Sequence, residues 1–125
     1  MKNGSGKAAR FESKSEIRAR APHFACPVEL VISEIGGKWK ASILFNLRQG
    51  PTRFSELKRR LQKITPRMLA RQLRELEKSG YIYRDVFPEV PPRVEYGLSP
   101  HGKSLNLVMN SMAKWGKDNG WSSGV

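Results

Sequence analysis

The sequence predicts a mainly α-helical domain carrying one small β-hairpin. Three observations lead there. After residue 25, apolar residues recur at helical spacing through most of the chain. Between residues 81 and 98 that period drops from 3.6 to 2, the spacing of a strand. Gly and Pro separate these segments, at Gly36-Gly37, Gly50-Pro51, Gly80 and Pro91-Pro92. A chain of 125 residues suits one domain with a single modest core. We divide it into a flexible basic arm (1–24), a folded domain (25–119) and a frayed tail (120–125).

The first ordered segment opens at Cys26-Pro27. Val28, Val31, Ile32 and Ile35 form a helical stripe that stops at Gly36-Gly37. In KWKASILFNLRQG, Trp39, Ile43, Leu44 and Leu47 share one broad helix face, which ends at Gly50-Pro51. GGK at 36–38 is no phosphate loop, because it follows a helix and lacks the spaced second glycine. Thr52-Arg53 suits a very short strand. FSELKRRLQK is a short helix with Phe54, Leu57 and Leu61 inward. KITPR is a turn, since Pro66 disfavours helical geometry at Thr65, and Ile64 is its apolar pin.

The stretch from Thr65 to Gly80, TPRMLARQLRELEKSG, has the clearest helix signals of the chain. Thr65 can cap it, Pro66 fits its first position and Gly80 suits a left-handed stop. Leu69, Leu73 and Leu76 make one apolar stripe. Arg67, Arg71, Arg74 and Lys78 fall within about 60° of arc, roughly opposite the leucines. A helix docked by the leucines therefore shows a cationic ridge outward, of a size that the DNA major groove admits. A solvated surface helix is the competing reading, and Glu75 and Glu77 beside the ridge favour it.

Two short helices joined by a tight turn, the second basic on its outer side, make a helix–turn–helix pattern. YIYRDVF and RVEYGL then form a hairpin around PEVPP, which adds a wing. Arg93 at its tip could enter the narrow minor groove, or instead pair with Glu89 or Glu95. Ser99 and Pro100 start a last helix, whose stripe is Leu105, Val108, Met109, Met112 and Trp115. That helix is long for a small domain, so its apolar face is expected to pack against a second copy; one extra core helix is the alternative.

The formal net charge is +12. Residues 53–78 hold nine basic and three acidic residues, so half of the excess sits in about a fifth of the chain. Such concentration points to a polyanionic partner. The arm adds non-specific phosphate contacts or is inert. No apolar run approaches the roughly 20 residues of a membrane span, and no signal-peptide pattern is present, so a cytoplasmic location is expected. One cysteine and two distant histidines offer no metal site, and no cofactor is expected. No catalytic constellation emerges, so the chain is not expected to be an enzyme.

GGKWK, RFSELKRRL, ITPRMLARQLRELE and VPPRVEYGLSPHGK, in this order, closely resemble the HxlR-type family of bacterial winged helix–turn–helix transcription regulators, related to the MarR type. The likeness runs from Cys26 to about Trp115. It implies a homodimer built mainly from the first and last helices, with Val28, Val31, Ile32, Leu105, Val108, Met109, Met112 and Trp115 at the seam. It implies one such helix per subunit in adjacent major grooves, and DNA contacts by Thr65, Arg67, Met68, Arg71, Gln72 and the wing's Arg93. Arg67 and Arg71 lie in the first two turns, where such motifs touch bases. Gln72 is the right type to read adenine. Lys58, Arg59, Lys63, Arg74 and Lys78 suit phosphates.

Cys26 stands at a helix start, where partial positive charge activates a thiol. The family likeness implies an oxidant or electrophile sensor there; a small residue buried at the dimer seam is the alternative. The expectation is a double-stranded-DNA-binding homodimer, a repressor released by a small-molecule effector or by thiol modification. A basic RNA-binding or ribosome-associated module is the runner-up, and a protein-interaction winged helix is the third reading.

Overall fold

A computed structural model describes residues 26–120. The expected arm (1–24) and residues 121–125 of the expected tail lie outside them. In chain order the elements are α1 (Pro27–Ile35), α2 (Lys40–Leu47), β1 (Thr52–Arg53), α3 (Phe54–Leu61), α4 (Pro66–Lys78), β2 (Ile82–Phe87), β3 (Arg93–Leu98), α5 (Pro100–Lys103) and α6 (Asn106–Asp118). The three strands form one antiparallel sheet in the order β1-β3-β2. Ile82 pairs with Leu98 at the base of the hairpin and Phe87 with Arg93 near its tip, while Thr52 pairs with Tyr96 across the other edge.

One apolar core joins the helices to the base of that hairpin. It contains Ile43, Leu44 and Leu47 of α2, Leu57 of α3, Leu69, Leu73 and Leu76 of α4, and Ile82 and Leu98 of the sheet. Full burial of each leucine contributes about 1.5–3 kcal/mol, so three leucines at helical spacing fix the roll of α4 firmly. The ends of α4 are set by chemistry local to the sequence. Thr65 Oγ1 accepts a hydrogen bond from the Met68 N–H at 3.0 Å, and Pro66 occupies the first turn. At the far end Gly80 has φ +86°. The Gly80 N–H donates to the Glu77 carbonyl and the Tyr81 N–H to the Leu76 carbonyl, both at 3.0 Å. That pair of bonds satisfies carbonyls a helix end otherwise leaves free. Ile64, 1% exposed, pins the turn between α3 and α4 as expected.

The last helix departs from expectation. It breaks at Ser104–Leu105 into a four-residue α5 and a separate α6. Ser99 and Gly102 explain why α5 is held apart. Ser99 is fully buried; its hydroxyl accepts from the Gly102 N–H at 3.0 Å and donates to the Gly80 carbonyl at 2.6 Å. A Cβ on Gly102 would lie 2.0 Å from the Tyr81 carbonyl oxygen. So α5 is clamped onto the chain leaving α4, and the Ser104 hydroxyl, bonded to the His101 carbonyl at 2.6 Å, offers the backbone an alternative to helix at the break. The break re-aims α6. Met109, only 3% exposed, and Leu105, half-buried, pack into the subunit's own core. Both are expected on the face offered to a second copy; Met109 instead lies within the subunit's own core, while Leu105 packs against the edge of that core and stays partly exposed.

Gly102→Ala is expected to destabilise the fold by about 1–3 kcal/mol through backbone overlap. Gly116→Ala, where an added Cβ meets nothing within 4 Å, is expected to leave stability unchanged or raise it. Urea denaturation of the two variants beside wild type checks the contrast.

Candidate nucleic-acid interface

With the leucines of α4 at most 1% exposed, its opposite face must be outward. Arg67, Arg71, Arg74 and Lys78 are all exposed. Among the described residues, Arg67, Arg74 and Lys78 make no ion pair, and Lys63 in the preceding turn makes none either. Arg71 is tied by its Nε to Glu75 Oε2 at 3.3 Å. Glu75 is also held from a distant part of the chain, with Lys40 Nζ 3.0 Å from its Oε1. Thr65 is exposed at the helix start, but its hydroxyl is engaged in the cap. Met68 and Gln72 lie to one side of the ridge, half-buried, with Gln72 Nε2 donating to Met68 Sδ at 3.4 Å. Met68 packs against the core, which shortens its reach outward.

On α3 the cations are more constrained. Glu56 accepts from Arg59, and from Arg60 Nε at 3.1 Å. These bonds, Arg59's first and Arg60's next, hold the Glu56 carboxyl below the ordinary glutamate range. Lys58 Nζ lies 3.3 Å from the Gln62 carbonyl. Arg60, which sequence reasoning did not single out, also reaches back to the Asn46 carbonyl of α2 at 3.4 Å. Lys40 escaped notice as well, since 35 positions separate it in sequence from Glu75 and nothing in the chain signals their meeting.

The wing holds Arg93 in ion pairs. Arg93 is no free tip residue. Its Nη1 donates to Glu95 at 2.7 Å, its Nη2 to Glu89 at 2.9 Å, and its guanidinium lies 3.9 Å from the Phe87 ring centre. Of the two readings open from sequence, the ion-paired one is what the structure shows, and with both candidate carboxylates. The physical reason is register: Phe87 and Arg93 are cross-strand partners, which puts the arginine over the ring and between the two glutamates. Residues 82–98 hold two basic and three acidic residues, so the wing is net −1 beside a strongly cationic helix.

A second surface lies on α1 and α6. Val28, Val31 and Ile32 of α1, and Val108, Met112 and Trp115 of α6, are exposed by 36–68%. Most of them line an apolar groove of about 480 Å³, whose wall also includes Gly36, Gly37 and Ala41. Cys26 is exposed at the N-terminus of α1, just before Pro27. Among the described residues no three His, Cys, Asp or Glu side chains gather as a metal site, and no helix is long and apolar enough to cross a membrane.

A capped helix set behind a shorter helix, followed by a two-stranded hairpin that pairs with the short β1, is the architecture of a winged helix–turn–helix DNA-binding transcription regulator. The HxlR-like helix-turn-helix family matches residues 34–123, and the chain belongs to that family. An uncharacterised HTH-type transcriptional regulator of Methanothermobacter thermautotrophicus is 55% identical over 94 residues, which cover 75% of this chain and 72% of that one. The structure of the redox regulator HypR in its oxidised form is similar, with a TM-score of 0.73 and 43% identity over 78% of this chain and all of that one. The reduced form of the transcriptional regulator YodB from Bacillus subtilis has a TM-score of 0.66 and 35% identity, over 77% of this chain and 95% of that one.

Lys40 first, and Arg71 after it, hold the Glu75 carboxyl below the ordinary glutamate range. Because the folded pKa is depressed, the stabilisation from these contacts is complete above the ordinary glutamate value and is lost as pH falls through the depressed one. Carboxyl carbon-13 NMR titration should place the Glu56 and Glu75 midpoints below that of an unpaired glutamate. Lys40→Met should move the Glu75 midpoint upward and leave that of Glu56 in place.

Proposed function

We propose that the chain acts as a homodimer that binds double-stranded DNA sequence-specifically and represses transcription, released by a small-molecule effector or by modification of Cys26. The observation that carries this reading is the α4 ridge: four exposed cations, of which Arg67, Arg74 and Lys78 have no ion-pair partner among the described residues, on a helix whose other face is locked into the core. Arg67 and Arg71 in its first two turns take base edges, with Thr65 and Gln72 beside them. Arg74, Lys78, Lys58, Arg59 and Lys63 take phosphates. Met68 contributes at most an apolar contact, and Arg93 acts from within its ion pairs.

The exposed apolar residues of α1 and α6 support the dimer. Their stripes share one groove, and a patch of that kind on a small domain marks an interaction surface. Two-fold pairing through it favours a palindromic operator with half-sites about 34–36 Å apart or a multiple. Release follows from a changed angle between the two recognition helices. Cys26 is exposed at the start of α1, whose apolar stripe lines the groove, and that position supports a change of angle on its modification. Similarity to a redox regulator characterised in oxidised and reduced forms supports the thiol route.

Selection of bound sequences from random duplex DNA is expected to return one motif, and A-form RNA of equal length is expected to compete poorly. On that motif Arg71→Ala should reduce discrimination against random DNA. Lys58→Ala should weaken both alike and flatten the salt dependence by about one unit of slope. Indistinguishable behaviour of the two variants in salt-titrated binding would refute the division of roles. For the oligomer, sedimentation should show wild type as a dimer and Met112→Asp as a folded monomer.

A further inference from the structure

Glu75 carries two ion pairs that come from different parts of the fold. One is local, to Arg71 a single turn earlier on α4; the other comes from Lys40, at the start of α2. Arg71 is held through Nε alone, and its Nη1 and Nη2 have no partner among the described residues. A guanidinium can face a planar acceptor pair with its Nη1/Nη2 edge or with its Nε/Nη edge. A carboxylate on Nε takes the second edge out of use and leaves the first, on a side chain that is 63% exposed. The bidentate contact of arginine to guanine O6 and N7 needs one such free edge in a defined orientation.

The same geometry explains Lys40. An unpaired carboxylate one turn from a base-reading arginine would swing freely and repel the DNA backbone. Lys40, whose side chain is only 23% exposed, fixes Glu75 in place and cancels its charge. Exposed pairs of this kind add little to stability, so their effect is to be sought in recognition.

We propose that Glu75 is a positioning residue for Arg71, fixed in turn by Lys40, and that this chain of ion pairs sets how sharply α4 discriminates among DNA sequences. The proposal rests on the assignment of Arg71 to base contact. It also connects the two surfaces of the molecule. Lys40 directly precedes Ala41 and follows the Gly36-Gly37 turn, and all three of those residues wall the apolar groove. Anything that displaces that wall moves the anchor of Glu75, and through it the free edge of Arg71.

The test measures the affinity ratio between a selected duplex and a random one at fixed salt, for the full chain. Glu75→Gln should lower the ratio about 3- to 10-fold, part of the roughly 5- to 150-fold that one bidentate base contact supplies. Lys40→Met should lower it in the same direction by less. Neither should lower it further once Arg71 is already alanine. Glu77→Gln, which removes a charge on the other flank of the ridge, should tighten binding to all duplexes and leave the ratio alone. A ratio unchanged by Glu75→Gln, or lowered equally in the Arg71→Ala background, overturns the proposal. A wild-type chain with no preference for any duplex overturns the regulator reading instead, so the two failures are distinct. A second readout needs no DNA: hydrogen exchange at Arg71 Nε should be slower in wild type than in Glu75→Gln, and equal rates overturn the positioning role.

Discussion

The burial of three leucines on one helix is the constraint on which the rest of the molecule depends. Leu69, Leu73 and Leu76 cannot leave the core without exposing apolar surface. An α-helix is rigid about its axis, so the position of its buried stripe dictates the position of every other residue. Arg67, Arg71, Arg74 and Lys78 face outward because the leucines face inward. The cap at Thr65 and the stop at Gly80 limit where that rigid piece begins and ends. The base of the wing follows from the same end of α4, because Tyr81 and Ile82 enter the core directly after Gly80.

Charge is distributed less uniformly than the net value suggests. Arg59 and Arg60 share Glu56, Arg93 lies between Glu89 and Glu95, and Arg84 is 3.9 Å from Glu77. On α4, by contrast, Arg67, Arg74 and Lys78 have no carboxylate partner among the described residues, and neither does Lys63 in the turn before it. On the wing, the arginine nearest the tip is already bound between two carboxylates.

The apolar surface of α1 and α6 stands apart from that ridge in character, yet it is not isolated from it. The turn after α1 forms part of the groove wall and leads directly into Lys40, which reaches α4. The groove of α1 and α6 and the ridge of α4 are thus joined through one turn and one ion pair.

The sequence by itself determined every element whose cause is local. The cap at Thr65, the stop at Gly80, the change of period at Tyr81 and the opposition of leucines to arginines on α4 are all written in consecutive residues, so spacing alone reveals them. The family follows from the same ordered motifs. What only the tertiary structure decided was the set of contacts between residues distant in sequence or across a strand pair. The break between α5 and α6 depends on Gly102 meeting the Tyr81 carbonyl, and that break sends Met109 inward. Arg93 is occupied because strand register lays it over Phe87. Glu75 read as a mark of a solvated surface until Lys40, 35 residues earlier, proved to lie beside it. Periodicity records which way a side chain points along its own element; it holds no information about which other element arrives to meet it.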